Sequence, residues 1–314
     1  MALRKTFLSI IILISFAFFA LYPSVLISSV SNSLILWYKG VFPTLFPFAM
    51  GISMLGETGF AEYLGKKLDF LVRVIFKVNG CGAFPLIMGL LAGYPTGAKI
   101  TADLYAKKLI TKEEAQCIMS FCNNPGPIFI TATVGVSLMG SRRTGYIMLF
   151  STVLSSIITG IIFSHIYPHK ISNTAFMNKP RQSSAKSIGT VISDSIYTAA
   201  HILILIGGYI ILFGIINSIL KETGFLTPFG RNISLIISGL LEMTNGINAV
   251  CLTDMYTYEK AILSTFFLSF GGLAIQLQIA GFTGEIPINK TLFILSQIFK
   301  AFTAAIIMAV VIFF

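Results

Sequence analysis

Apolar runs separated by short polar segments extend along the whole chain, and this pattern predicts helices that cross a membrane several times. A helix needs about 20 apolar residues to cross the hydrocarbon core of a bilayer. Uninterrupted runs near this length each predict one span, and they lie at residues 7–30, 39–55, 146–165, 199–220 and 292–314.

The segment 86–99, which reads LIMGLLAGYPTGAK, departs from this pattern. Its three glycines and Pro95 each disfavour an α-helix, by about 1 to 3 kcal/mol relative to alanine. Because the bilayer core holds no water, irregular backbone is tolerated there only where it is buried in protein or lines a wet cavity. We therefore expect residues 80–99 to form a re-entrant hairpin with its tip at residues 94–97. This tip is the first candidate for a substrate site.

A further apolar run, at residues 116–139, is interrupted near its middle by CNNPGP at residues 122–127. Proline, glycine and asparagine at this depth are not tolerated in a helix that faces lipid. The sequence therefore predicts a second broken element, which lies close to the first hairpin along the chain.

The second half of the chain repeats these features in the same order. Three short motifs recur: ETGF at 57–60 and 222–225, GLL at 89–91 and 239–241, and FCNNPG at 121–126 answered by FLSFGG at 267–272. We expect a second hairpin at residues 233–250. The alternative for the glycines in both halves is that they only let helices pack closely, as small residues do in membranes.

The distribution of Lys and Arg supports the hairpin arrangement. If each hairpin enters and leaves the membrane on the same side, the basic segment 167–194 lies in the cytoplasm, as the positive-inside rule predicts. The hairpins then open to opposite sides, which is the inverted-repeat plan of secondary transporters with a midplane binding site. The predicted division is an N-terminal transmembrane helix at 1–36, a gate-type repeat at 37–166, a basic cytoplasmic linker at 167–198 and a second gate-type repeat at 199–314.

Composition narrows the class of protein. Hydrophobic residues make up 55% of the chain and charged residues 11%, with a mean hydropathy of +0.86. A soluble domain has about 25% charged residues, so an all-α polytopic membrane protein is predicted. The net charge of +10 arises from cations between apolar segments, and no nucleic-acid partner is expected. The chain has no C-x-x-C pair, paired carboxylates or nucleophile motif, so neither a metal, a cofactor nor an enzymatic activity is expected.

The motifs GLLAGYPTGAK at 89–99 and FCNNPGPIFI at 121–130 resemble the YlbJ family of sporulation integral membrane proteins, within the nucleoside-recognition or gate-domain group. This resemblance implies an inverted-repeat fold similar to that of concentrative nucleoside transporters. It also implies a role in endospore formation, in which dipicolinic acid is carried from the mother cell across the outer forespore membrane.

Dipicolinate is a planar aromatic dianion, so its site would need positive charge, hydrogen-bond donors and an aromatic wall. The candidate substrate-binding residues are Tyr94, Thr96, Gly97, Lys99, Asn123, Asn124, Gly126, Glu242, Thr244, Asn245 and Lys300. Two alternatives stay open: Lys99 extends to the cytoplasmic interface, or Lys300 forms a structural ion pair with Glu242.

Two other functions are consistent with the sequence. One is transport of nucleosides or another small solute, which rests on fold analogy alone. The other is a membrane scaffold that transports nothing and is needed for sporulation. The expected partners are a small anionic substrate, the lipid bilayer, and either a second copy of the chain or other sporulation membrane proteins.

Overall fold

A computed structural model describes residues 13, 16–167, 171, 187–284 and 286–313. Residues 7–12, 14 and 15 of the first predicted span lie outside the described residues. So do residues 168–170 and 172–186 of the predicted linker. The described part of the chain contains helices and no strand. Five of its helices are long and apolar enough to cross a membrane: Pro23–Glu57, Arg142–Ile166, Ile188–Glu222, Thr257–Phe282 and Lys290–Phe313. The predicted all-α membrane class is confirmed.

The first long helix combines α1 (Pro23–Leu36) and α2 (Phe42–Glu57), which are joined without a loop by a π-helical turn at Trp37–Val41. The predicted division into a span ending at residue 30 and another starting at residue 39 is therefore wrong. The polar residues between the two runs do not form a loop, because Ser29 and Ser33 are buried within the protein. Ser33 lies against Gly214, which belongs to the long helix Ile188–Glu222 of the same chain.

The first hairpin is formed by α4 (Ala83–Ala92) and α5 (Thr96–Ala106). It follows α3 (Phe60–Phe76) and a 3₁₀ turn at Gly80–Gly82, where the chain bends by 91°. The hairpin helices pack against each other because Gly89 and Gly97 have no side chain. A Cβ atom on either glycine would overlap the carbonyl oxygen of Cys122.

The broken span follows the hairpin directly. It consists of α6 (Lys112–Phe121), an irregular segment that we call break 1 (residues 122–127), and a π-helix at Phe129–Leu138. The start of α6 is fixed by a capping box in which Thr111 and Glu114 bond to each other's backbone N–H. The last helix of the first half is α7 (Arg142–Ile166).

The second half has a matching set of elements. These are α8 (Ile188–Glu222), a 3₁₀ turn at Thr227–Phe229, the hairpin helices α9 (Gly230–Leu241) and α10 (Met243–Cys251), then α11 (Thr257–Phe270), α12 (Gly272–Phe282) and α13 (Lys290–Phe313). Between α11 and α12, Gly271 has a φ angle of +84° and interrupts the span, and we call residues 270–272 break 2. Helix α8 begins at Ile188 instead of the predicted residue 199 because Ser187 caps it, with its hydroxyl accepting from Thr190 N.

Long-range packing joins the two halves. Helices α1 and α2 pack along α8, and α13 packs against α7 and α11. The face that α7 presents to the protein consists of small residues, among them Ser151, Ser155, Thr159 and Gly160. Small side chains allow close approach of helices in membranes. Tyr94 and Glu242 at the two hairpin tips are buried, as are most residues of both breaks.

Candidate substrate site

The tip of the first hairpin reaches the break in the other half of the chain. Tyr94 is buried, and its hydroxyl donates to the carbonyl oxygen of Ser269 at 3.0 Å and lies 3.3 Å from that of Leu268. These carbonyl groups belong to the last turn of α11, where no further helical N–H is available to them. A side chain on Gly271 would lie 3.2 Å from the Tyr94 ring. The tyrosine thus closes the end of α11.

The tip of the second hairpin lies against the same break. Glu242 is buried and caps α10, since its carboxylate oxygens accept from Thr244 N at 2.9 Å and Asn245 N at 2.7 Å. A negative charge is favourable at a helix N-terminus. A Cβ atom on Gly272 would lie 3.1 Å from Met243 N. Break 2 therefore contacts both hairpins.

Break 1 is lined by side-chain donors. The carbonyl oxygen of Phe121 accepts from Ser156 Oγ at 2.6 Å and from Asn124 Nδ2 at 2.8 Å. The amide group of Asn123 donates to Met119 O at 3.2 Å, and Lys300 Nζ donates to Asn123 O. Each of these bonds satisfies a carbonyl that the interrupted helix leaves free. Gly93 lies directly on Gly126, so the first hairpin tip also rests on break 1.

The two hairpin tips and break 1 line a central cavity of about 40 Å³, together with residues of α2, α8 and α12. Its lining is Val41, Leu45, Tyr94, Pro125, Gly126, Phe129, Ile206, Ile210, Glu242, Met243, Thr244, Ile275 and Gln278. This volume holds a few water molecules and is too small for an aromatic solute. The structure therefore brings four predicted residues, Tyr94, Gly126, Glu242 and Thr244, together around this cavity.

Lys300 lies next to this cavity but does not line it. Its side chain is fully buried, and Nζ is 5.6 Å from the centre of the Tyr94 ring. No carboxylate among the described residues lies within 4 Å of Nζ, so the alternative of an ion pair with Glu242 is not formed. Asn123 and Asn124 are buried beside it in break 1.

Two other predicted residues line a separate cavity of about 180 Å³, which we call the α5 cavity. Thr96 and Lys99 contribute to it, together with Asp103 and Lys107. Lys99 Nζ lies 3.0 Å from Asp103 Oδ2. Lys99 therefore does not face the central cavity. Gly97 lines neither cavity, since it lies against Cys122.

Asn245 lines a third cavity of about 500 Å³, the α10 cavity. Its polar wall includes Ser33, Asn217, Asn248 and Ser238, whose hydroxyl donates to Asn217 Oδ1 at 3.0 Å. The amide nitrogen of Asn245 is buried and has no hydrogen-bond partner among the described residues. A buried donor without a partner lowers the free energy of unfolding unless a ligand or a water molecule accepts its hydrogen bond.

Helix α8 lines all three cavities in succession. Thr198 and Ile202 line the α5 cavity, Ile206 and Ile210 the central cavity, and Gly214 and Ser218 the α10 cavity. Each step of four residues turns by about 40° at 3.6 residues per turn, so this row of residues winds about 200° around the helix. The segment from Thr198 to Ser218 rises about 30 Å, which is close to the thickness of the hydrocarbon core of a bilayer. The three cavities thus lie at successive levels along α8, and the central one is the smallest of the three.

Sequence reasoning missed Gln278. This residue on α12 lines the central cavity, is 2% exposed, and neither polar atom of its amide has a hydrogen-bond partner in the part of the chain that the structure describes. An unpartnered amide in such a place indicates a ligand or water contact. The available signal was two glutamines, Gln276 and Gln278, in an otherwise apolar run after a pair of glycines.

Comparison with known proteins supports the resemblance that the motifs indicated. The nucleoside recognition (Gate) family matches residues 38–162, which contain the first hairpin and break 1. The sporulation integral membrane protein YlbJ of Bacillus subtilis strain 168 is 28% identical over 314 residues, which cover 91% of this chain and 77% of that protein. No solved structure matches the chain significantly. The resemblance is confirmed.

Proposed function

We propose that this integral membrane protein, similar to a sporulation membrane protein and matching the nucleoside recognition family in its first half, transports a small solute. One observation carries the proposal: α8 lines three cavities in succession, at levels that extend over about 30 Å along its axis. A scaffold has no need of a polar, cavity-lined route between its helices. An enzyme would need reactive groups at the cavity, and Glu242 there is already used as a helix cap.

The arrangement of the two halves supports alternating access. Each half has a long helix, a hairpin, an interrupted span and a final helix, in that order. Three membrane crossings in the first half would place the second half in the opposite orientation. This is the inverted-repeat plan with a midplane site between broken helices, similar to that of concentrative nucleoside transporters.

The first candidate substrate is dipicolinate, moved from the mother cell across the outer forespore membrane. The sporulation role in the name of the relative supports this choice. The chemistry of the site also supports it in part, because Lys300, the aromatic ring of Tyr94 and the donors of Thr244 and Gln278 lie at or next to the central cavity. A planar ring would fit between Tyr94 and the aliphatic side chains of α8 once the cavity widens.

A nucleoside is the second candidate, and the carboxylate of Glu242 favours it. Glu242 lines the cavity and would repel a dianion, whereas a carboxylate and an amide suit the donors of a neutral nucleoside. The hydrogen bonds from the α10 backbone would reduce this repulsion, because both carboxylate oxygens already have a donor.

Flux into liposomes that contain the purified protein tests both candidates. Labelled dipicolinate and labelled nucleosides are supplied to the wild type, to Thr244→Val at the cavity, and to the matched control Thr303→Val on α13. Saturable flux of one solute that Thr244→Val reduces and Thr303→Val does not would support the proposal and identify the substrate class. Absence of flux of both solutes in a folded, inserted protein would favour the scaffold.

A further inference from the structure

The interruption of α6 leaves a set of carbonyl groups that face the protein interior. The last carbonyls of a helix carry a partial negative charge because they have no helical donor. Phe121 O and Met119 O receive neutral side-chain donors, as described above. Asn123 O, by contrast, accepts from an amine, Lys300 Nζ.

Lys300 reaches this point from the middle of a different span. On the same helix, Gln297 Nε2 lies 3.5 Å from both Met119 O and Ser120 O. Helix α13 therefore presents two polar side chains, Gln297 and Lys300, to the end of α6 and to break 1. The lysine has no carboxylate within 4 Å among the described residues, and its neighbours include the face of the Tyr94 ring and the buried Cys122. Carbonyl dipoles and a ring face are the surroundings that suit a monovalent cation.

At break 2 the free carbonyl groups are completed by neutral donors. Ser269 O accepts from the Tyr94 hydroxyl and Phe270 O accepts from Gln276 Nε2 at 2.7 Å. Among the described residues, the donors to the carbonyl groups at the two breaks therefore differ in that break 1 has a charged donor.

In secondary transporters, carbonyls of unwound segments and the C-terminal ends of half-helices commonly hold the coupling cation. We infer that Lys300 is a tethered cation that occupies this position at break 1, so that the carrier needs no alkali ion from solution. The consequence for transport rests on the proposed function, whereas the occupancy of break 1 does not.

Removal of the tether should create a site for a free cation. Lys300→Ala vacates the side-chain volume and leaves Asn123 O without its donor. Asn123 Oδ1, which is buried and has no hydrogen-bond partner among the described residues, is a second oxygen of the same residue. Two oxygens at the end of a helix form the start of a site for Na⁺, K⁺ or methylammonium.

Thermal unfolding of the purified protein tests the occupancy without any transport measurement. The wild type, Lys300→Ala and the exposed control Lys290→Ala are melted in choline, sodium, potassium and methylammonium chloride at equal concentration. We expect the midpoint of Lys300→Ala to fall in choline and to recover with at least one small cation. The midpoints of the other two proteins should not depend on the cation. A Lys300→Ala midpoint that is the same in all four salts would overturn the inference, as would a wild type stabilised selectively by sodium or potassium.

Transport provides the second test and does not depend on the folding of a variant. Wild-type flux of the transported solute is compared with sodium, potassium or choline on both sides of the liposome membrane. We expect equal rates, whereas a rate about tenfold higher in one alkali salt would indicate a free coupling ion and overturn the inference. If the wild type transports neither solute, the proposed function fails while the melting experiment still decides the role of Lys300.

Discussion

The hydroxyl of Tyr94 donates to the carbonyl oxygen of Ser269, and this bond joins residues 175 positions apart in the sequence. Tyr94 belongs to the first hairpin and Ser269 to the last turn of α11, so one side chain connects the two halves beside the central cavity. The same ring faces Lys300. Movement of the first hairpin must therefore disturb break 2 and the cation at break 1 together.

Tyr94→Phe should weaken this connection while preserving the ring. The Ser269 carbonyl would lose its donor in a buried place, which typically costs about 1–3 kcal/mol. We expect a lower thermal midpoint and a changed flux. Tyr146→Phe is the matched control, because Tyr146 is 51% exposed and should tolerate the loss of its hydroxyl. Equal midpoints for the two variants would contradict the role given to the bond.

Gly97→Ala should disrupt the first hairpin. The added Cβ atom would overlap the Cys122 carbonyl oxygen, which is backbone and cannot rotate away. Overpacking of this kind costs about 1–3 kcal/mol. Gly208→Ala on α8 is the control, since a Cβ atom there meets nothing within 4 Å. The yield of folded protein and its thermal midpoint are measured, and a Gly97→Ala midpoint at the wild-type value would contradict the close packing.

Gln278→Leu separates binding from stability. Because neither polar atom of the amide has a partner, its loss should leave the thermal midpoint unchanged or raise it, while flux falls. Gln276→Leu should lower the thermal midpoint, because Gln276 Nε2 donates a hydrogen bond to Phe270 O that the leucine cannot make. Flux and melting are measured on both proteins. Full activity in Gln278→Leu would exclude the amide from solute recognition.

Glu242→Gln distinguishes the two candidate substrates. The amide oxygen can still accept one backbone N–H, but the negative charge in the cavity is removed. For dipicolinate we expect KM to fall by about tenfold because a like charge no longer faces the solute. For a nucleoside we expect KM to rise. The KM of whichever solute the wild type carries is measured, and an unchanged value would remove Glu242 from the site.

Lys99→Ala should have little effect on stability. Its ion pair with Asp103 has side chains that are 28% and 52% exposed, and such pairs contribute about 0–1 kcal/mol. An effect on flux should instead appear as a higher KM at low salt, because the α5 cavity loses a positive charge that attracts anions. Asp103→Asn is the control, because it removes a negative charge from the same cavity and should change KM in the opposite direction. A large fall in maximal rate at saturating solute would place Lys99 in the central site instead.

The hairpins and breaks could be predicted because their cause is local. Glycine, proline and asparagine in an apolar run disfavour a helix wherever they occur, so the interruptions at residues 93–95 and 122–127 are visible in the sequence itself. The same local reasoning failed at residues 31–38. There a short polar run suggested a loop, but Ser33 packs against Gly214, and only the tertiary structure supplies that neighbour.

The set of residues at the central cavity was predictable only in part. Tyr94, Gly126, Glu242 and Thr244 lie at interruptions and were found for that reason. Gln278 lies within a regular helix, and nothing local distinguishes it from a glutamine that packs between helices. The position of Lys300 relative to Asn123 depends on how α13 packs across the bundle over 177 residues of sequence, which no local pattern records.

The length of α8 has a mechanical consequence at its N-terminal end. The helix has 35 residues and rises about 52 Å, whereas its segment from Thr198 to Ser218, which lines the three cavities, already has about the length of a bilayer core. Residues 188–198, which include Asp194 and several hydroxyl side chains, continue the same helix by about 16 Å, and most of their side chains are exposed. A force applied at Ile188 would be transmitted to Thr198 through unbroken helix. The helix that lines all three cavities is thus mechanically continuous with a polar segment beyond them.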